Sequence, residues 1–162
     1  MERQILVLGL EDSLLGLEVS SVKEIVRCEG LTGVPGAPAA LAGLIALQGT
    51  LLPVFDLNVC LKGGKRDNPG GGAVIVLKNH SEAEIGIIVD AVEDIIEVKA
   101  EEILAPPMET ETGAGEYVAG MVRHRGGLLI LLDMGRLLSE TLRAFHSGSS
   151  GIYNKTGQID ES

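Results

Sequence analysis

The chain has 162 residues and a mass of 17.0 kDa, long enough to bury roughly 70% of its unfolded surface with no disulfide or metal staple. Hydrophobic residues make up 45% and charged residues 22%, the balance of a globular protein. A net charge of −10, with two Phe, two Tyr and no Trp, excludes a nucleic-acid binder, because phosphates are repelled and bases find few flat side chains to stack on.

The chain opens Met1-Glu2-Arg3-Gln4 and runs into Ile5-Leu6-Val7-Leu8, with no basic segment, apolar stretch and small-residue cleavage site, so no secretory signal is expected. Ile5–Leu8 reads as a strand, and so do the segments around Gly16–Val19 and Val22–Ile25. From Gly30 to Phe55 no residue is charged, which is long enough to cross a bilayer. Pro35, Pro38 and Pro53, with Gly33, Gly36, Gly43 and Gly49 between them, break a helix there. The same stretch reads instead as a hairpin turning at Gln48-Gly49-Thr50, and no direct membrane insertion is expected. Asp56 stands before the apolar-periodic Leu57–Leu61, an N-cap position at a short helix. Gly63–Gly72 is glycine-rich but lacks the phosphate-binding GxxxxGK pattern, so it is read as a connector.

The second half repeats the first. Gly43, Gly49, Asp56 and Leu61 correspond to Gly120, Gly126, Asp133 and Leu138 at an offset of 77. Gly16, Val19, Val22 and Ile25 correspond to Gly86, Val89, Val92 and Ile95 at an offset of 70, and Ile5–Leu8 to Val74–Leu77 at 69. Each half therefore reads strand, turn, strand, a further β element, a Pro-containing connection, a hairpin and a short helix. Arg125-Gly126-Gly127 is the second hairpin turn, and because Arg123, His124 and Arg125 surround it, its counterpart at Gln48 faces water. Ala105–Glu116 is a long loop, Met134–Phe145 the one helix of real length, and residues 147–162 a polar tail too poor in apolar surface to order itself.

Residues with reactive chemistry are scattered. His80, His124 and His146 have no His or Cys three or four positions away, which leaves no zinc spacing. Cys28 and Cys60 lie 32 apart without a CxxC pair and read as buried thiols of a reducing compartment. No GxSxG is present, and Asp56 and Asp133, being equivalent in a duplicated chain, read as two caps rather than a catalytic pair. No catalytic residue, cofactor or metal ligand is expected. Between Glu82 and Glu116 there are eleven acidic residues and one basic, so this segment alone carries the net −10. Such a lopsided field serves solubility or steers a basic partner.

These residues, taken in order, resemble the CheW family of chemotaxis adaptor proteins. The resemblance rests on Gly16-Leu-Glu-Val19, Val22-Lys-Glu-Ile25, Val34-Pro35, Ala37-Pro38, Gly43-Leu-Ile-Ala-Leu-Gln-Gly49, Leu52-Pro53-Val54 and Asp56-Leu57. It continues in Val74–Leu77, Gly86–Asp90, Val92-Glu-Asp94, Pro106-Pro107, Tyr117, Gly120 and Leu128–Asp133, covering about Gln4 to Leu142. It implies a mainly β fold of two five-stranded SH3-like barrels around a hydrophobic junction, with a short C-terminal helix, in one domain over 1–146. On this reading the first barrel spans about 14–66 and the second about 74–133, with exchange of terminal segments between them left open.

The resemblance also implies a non-catalytic, cytoplasmic adaptor, peripheral to membrane-bound receptor arrays. Its partners would be the helical cytoplasmic tip of a chemoreceptor and the regulatory domain of the histidine kinase CheA. The receptor-side positions carried over are Val22, Glu24, Ile25 and the Leu47-Gln48-Gly49 turn. Of Val22 and Ile25, alternation leaves open which one points inward. The family usually has Arg in the turn, as Asn-Leu-Arg-Gly, where this chain has Ala46-Leu47-Gln48-Gly49. Losing a fixed charge and five-donor fork there implies weaker receptor binding or another partner. A small-molecule sensor using the junction as a pocket, and an array scaffold uncoupled from receptors, are the competing functions.

Overall fold

Uninterrupted apolar runs form strands buried on both faces. In Glu2–Leu10 (β1), Ile5 and Val7 enter one apolar cluster while Leu6, Leu8 and Leu10 enter another on the opposite face. Ala73–Leu77 (β6) does the same, with Val74 and Val76 on one side and Ile75 and Leu77 on the other. The period-two geometry of a strand sends alternate side chains to opposite faces, so a run of four apolar residues fills two cores at once.

The computed structural model describes residues 2–11, 13–63, 72–78, 84–105 and 117–139. Besides β1 and β6, its strands are Ser13–Glu18 (β2), Val22–Arg27 (β3), Leu41–Leu47 (β4), Thr50–Asp56 (β5), Ile85–Val89 (β7), Ala91–Lys99 (β8), Val118–His124 (β9) and Gly127–Leu132 (β10). Leu57–Lys62 (α1) is a short helix, and residues 134–139 (α2) are helical. The expected helix to Phe145 and the expected tail 147–162 extend beyond the described residues, as do most of the two long loops.

One five-stranded sheet has the order β8-β1-β2-β10-β9, the other β3-β6-β7-β5-β4. The repeat equates β1–β5 with β6–β10, and under that exchange each order becomes the other. Each sheet therefore takes its first two strands from one repeat and the remaining three from the other. The two parallel pairings, β2 with β10 and β5 with β7, are equivalent down to the register: Leu131 opposite Gly16, and Val54 opposite Gly86.

Both sheets close on themselves. Thr32 and Leu44 exchange backbone hydrogen bonds of 2.9 and 2.8 Å, tying the chain beyond β3 to the outer side of β4. Leu104 and Met121 do the same beyond β8, at 2.7 and 3.0 Å. The result is the expected mainly β architecture of two five-stranded barrels. Ile5, Val7, Val98, Val122, Leu129 and Leu131 fill one barrel, and Ile45, Leu52, Val54, Val74, Val76 and Ile88 the other. A third cluster from both sheets, including Leu6, Leu8, Leu17, Ile75, Leu77 and Ile87, welds the barrels together.

Local devices follow the sequence closely. Gln48 and Gly49 carry φ of 51° and 80°, and Arg125 and Gly126 carry 48° and 81°. Both hairpins therefore turn through two residues of positive φ, the backbone a tight right-twisted hairpin needs. Asp56 Oδ1 accepts from the Asn58 and Val59 amides at 2.9 and 3.3 Å, and Asp133 Oδ1 from the Arg136 amide at 3.1 Å. Both aspartates are helix caps. The uncharged stretch from Gly30 to Phe55 holds the β4–β5 hairpin, and no helix among the described residues is long and apolar enough to cross a membrane.

Candidate protein-docking site

Alternation places the β3 side chains. Val22, Glu24 and Val26 are half-buried, whereas Lys23, Ile25 and Arg27 are exposed. Val22 packs against the core between the barrels and Val26 against the core of its own barrel. Val22 and Ile25 pair with Leu77 and Ile75 on one sheet face, and of the two apolar candidates Val22 is half-buried while Ile25 stands 42% exposed. A bulge between Val22 and Glu24, in the pairing with β6, adds the residue that re-aims this part of the strand.

The other candidates lie at the tip of the β4–β5 hairpin. Leu47 is half-buried against the same barrel core as Val26, while Gln48 and Gly49 project into solvent. β3 and β4 are the two edges of one sheet, and closure of the barrel brings both over a single core. The equivalent positions in the other barrel show how such edges meet. There Arg125, at the hairpin tip, reaches Asp94 on β8 with Nη2 3.8 Å from Oδ2. Asp94 corresponds to Glu24 and Arg125 to Gln48, so the first barrel has the acid of this pair without its cation.

Electrostatics around β3 are set by neighbours on β7's approach. Lys23 forms a hydrogen-bonded ion pair with Glu84. That bond holds the Lys23 ammonium above its ordinary value; desolvation opposes it, and the nearby Glu84 and Glu24 charges add to it. Exposed Ile25 thus lies in a strand with two exposed cations, Lys23 and Arg27.

The junction between the barrels is a packed core. Leu6, Leu8, Leu57, Ile75 and Ile87 are each at most 1% exposed there. Among the described residues the buried polar side chains are Asp56 and Asn58, both at the start of α1. Asn58 also donates from Nδ2 to Glu11 Oε1 at 2.7 Å, which ties α1 to the β1–β2 turn. Among the described residues no group of three or more His, Cys, Asp or Glu is placed to hold a metal ion.

Sequence reasoning missed several exposed apolar residues. Leu51 is 66% exposed, Leu128 56% and Ile95 55%. Leu51 and Leu128 are equivalent by the 77-residue offset, and Ile95 is the counterpart of Ile25. Counting back by twos from buried Val54 and Leu52 puts Leu51 outside, a signal present in the sequence once the strand is fixed.

A family model described as the CheW-like domain matches residues 4–142. The chain is 33% identical over 144 residues to the chemotaxis protein CheW of Treponema pallidum, covering 84% of this chain and 82% of that protein. It is 30% identical over 139 residues to the chemotaxis protein CheW of Klebsiella aerogenes, covering 85% and 82%. Among solved structures, the scaffolding protein TtCheW from Thermoanaerobacter tengcongensis aligns with a TM-score of 0.70 and 29% identity over 82% of this chain and 84% of that one.

Proposed function

The chain belongs to the CheW-like family, and from this we infer that it is a chemotaxis adaptor coupling chemoreceptors to the histidine kinase CheA without catalysing a reaction. Family membership carries the reading. The placement of the candidate residues supports it: Glu24, Ile25 and the Leu47-Gln48-Gly49 tip lie along two edges of one closed barrel, with Val22 rooted in the junction core behind them. A rigid β surface offering one exposed isoleucine beside charged and amide groups suits an amphipathic helix, whose apolar stripe meets Ile25 while polar neighbours fix its rotation. The receptor's helical tip is the occupant of this face. The CheA regulatory domain docks elsewhere on the barrels, at the periphery of a membrane-bound array in the cytoplasm.

The junction argues against the sensor alternative, because a ligand pocket needs a cavity with convergent polar groups, and this space holds close-packed Leu and Ile. A scaffold uncoupled from receptors is the second reading, favoured by Gln48 in the turn where the family usually carries Arg.

Titration of the chain with a soluble receptor-tip fragment and with the CheA regulatory domain tests the assignment. Binding to both, with Ile25→Ala and Glu24→Ala weakening the receptor arm alone, is the expected result. Kinase binding with no response to receptor would replace the coupling role with the scaffold role. Binding to neither would remove the adaptor function.

A further inference from the structure

Three polar contacts converge on Glu11. β1 and β2 pair as far as Leu10 opposite Ser13, so the chain reverses in two residues, of which Glu11 is the first. Its φ is 50°, a conformation that tight turns ordinarily give to Gly or Asn. The Glu11 amide donates to Asp90 Oδ2 at 2.6 Å. Its carboxylate accepts from Asn58 Nδ2 at 2.7 Å on one oxygen and from Lys62 Nζ at 3.4 Å on the other. A residue ill suited to its backbone is thus held at both ends, and strain kept in place this way points to a role beyond the turn itself.

The partners place that role at the junction. Glu11 joins two strands of the second barrel, whereas Asn58 and Lys62 lie on α1, which continues β5 of the first. Asp90 is the single residue between β7 of the first barrel and β8 of the second, and its own amide donates to Gly9 O at 3.1 Å. Asn58 is 7% exposed, so its bond is sheltered, while the exposed Lys62 pair adds little. The repeat supplies no second clamp. Gly135 and Ser139 stand where Asn58 and Lys62 would recur, and Ser20 corresponds to Asp90. There Leu137 and Leu138 of α2 pack on the junction core instead.

We propose that Glu11 is a positioning residue that sets the orientation of one barrel against the other. Apolar burial holds the barrels together without direction, whereas hydrogen bonds fix angle as well as distance. The clamp also bears on the receptor-side tip, because β5 runs from the Leu47-Gln48-Gly49 turn to the cap of α1. Its consequence for signalling rests on the adaptor reading above: Glu11 keeps a receptor on the first barrel in fixed relation to a kinase domain docked elsewhere. With the clamp loosened, the chain binds each partner but transmits receptor control poorly.

Residual dipolar couplings of the isotopically labelled full chain read the orientation with no partner present. Amides of both barrels are expected to fit one alignment tensor in the parent chain. Glu11→Gly removes the carboxylate while suiting the positive φ, so the fold is kept. Its barrels are expected to need separate tensors, with a melting point within about 5 °C of the parent. Glu11→Asn, also tolerant of positive φ but one methylene shorter, is a second variant with the same expected result. Glu11→Gln remains an acceptor for Asn58 and retains the single tensor. In receptor-containing membranes with CheA, Glu11→Gly should lower receptor-dependent kinase activation about fivefold, with its separate affinities for receptor tip and regulatory domain unchanged. A single tensor for both Glu11→Gly and Glu11→Asn, or undiminished kinase activation, overturns the proposal. Failure of the parent chain to bind receptor or kinase strikes the adaptor reading instead, and the alignment result still judges the clamp.

Discussion

Gly16 and Gly86 occupy the same niche in two different barrels. A Cβ on Gly16 would lie 2.6 Å from Leu131 Cδ2 and 2.9 Å from Ile5 Cγ2, and one on Gly86 would lie 2.7 Å from Val74 Cγ1 and 3.1 Å from Leu52 Cδ2. Ile5 corresponds to Val74, and Leu129, which crowds Gly16 at 3.2 Å, to Leu52. Duplication has thus preserved a close strand approach rather than a single contact.

Gly86→Ala should destabilise by about 1–3 kcal/mol through overpacking. Val74 is fully buried and stiff at χ1, so it has little room to give. Gly16→Ala should cost a similar amount: the end of Leu131 at 2.6 Å can give, but Ile5, as buried and β-branched as Val74, stands at 2.9 Å. Urea denaturation of the two variants reads both losses. Equal stability to the parent chain in both would mean these barrels are packed more loosely than described.

The two caps should differ as well. Asp56 is 1% exposed and its Oδ1 accepts from two amides, so Asp56→Ala strands buried donors at about 2 kcal/mol. Asp133 is half-exposed and Oδ1 accepts from the Arg136 amide, so Asp133→Ala should cost about 1 kcal/mol or less. Thermal melts that place Asp133→Ala below Asp56→Ala would contradict this ordering.

Gln48→Arg restores the side chain the family usually has, and it should strengthen binding to a cognate receptor tip. The Arg125–Asp94 pair adds a second readout. An arginine at 48 is expected to pair with Glu24, raising stability by about 0.5 kcal/mol, the ordinary worth of an exposed pair. A double-mutant cycle with Glu24→Gln isolates that coupling. If the gain in stability persists without the Glu24 charge, the two positions do not face each other in the first barrel.

Lys23 should keep its proton above the usual lysine range, because the hydrogen bond to Glu84 favours the ammonium. Its folded value lies above its unfolded value, so the associated stability is fully present below about 10.5 and is lost as pH rises through the folded value. Glu84→Gln removes the main cause and should bring Lys23 down toward 10.5. NMR titration of the Lys23 side chain measures this directly, and an unchanged midpoint in the variant would assign the shift elsewhere.

Strands, turns and caps were legible in the residues because each is a local matter. Ile5–Leu8 declares a strand, Gln48-Gly49 and Arg125-Gly126 a hairpin turn, and Asp56 a cap, whatever the rest of the chain does. The repeat itself was equally open to reading, as was the resemblance it supported. The direction of Ile25 was not, since the bulge at Lys23 makes simple alternation ambiguous at that point. Nor was the exposure of Leu51, which depends on knowing where β5 lies in its sheet.

The pairing of strands between repeats was decided only in three dimensions. Two near-equivalent repeats present the same apolar faces and the same turns, so β2 could meet β5 or β10 on sequence pattern alone. Non-local packing chose: β2 lies beside β10 and β7 beside β5. That exchange lets β1 and β6 feed a barrel core on one face and the shared junction on the other. A local pattern fixes what a segment becomes, but when two copies of it compete for the same neighbours, only the packing of the whole chain determines which one wins.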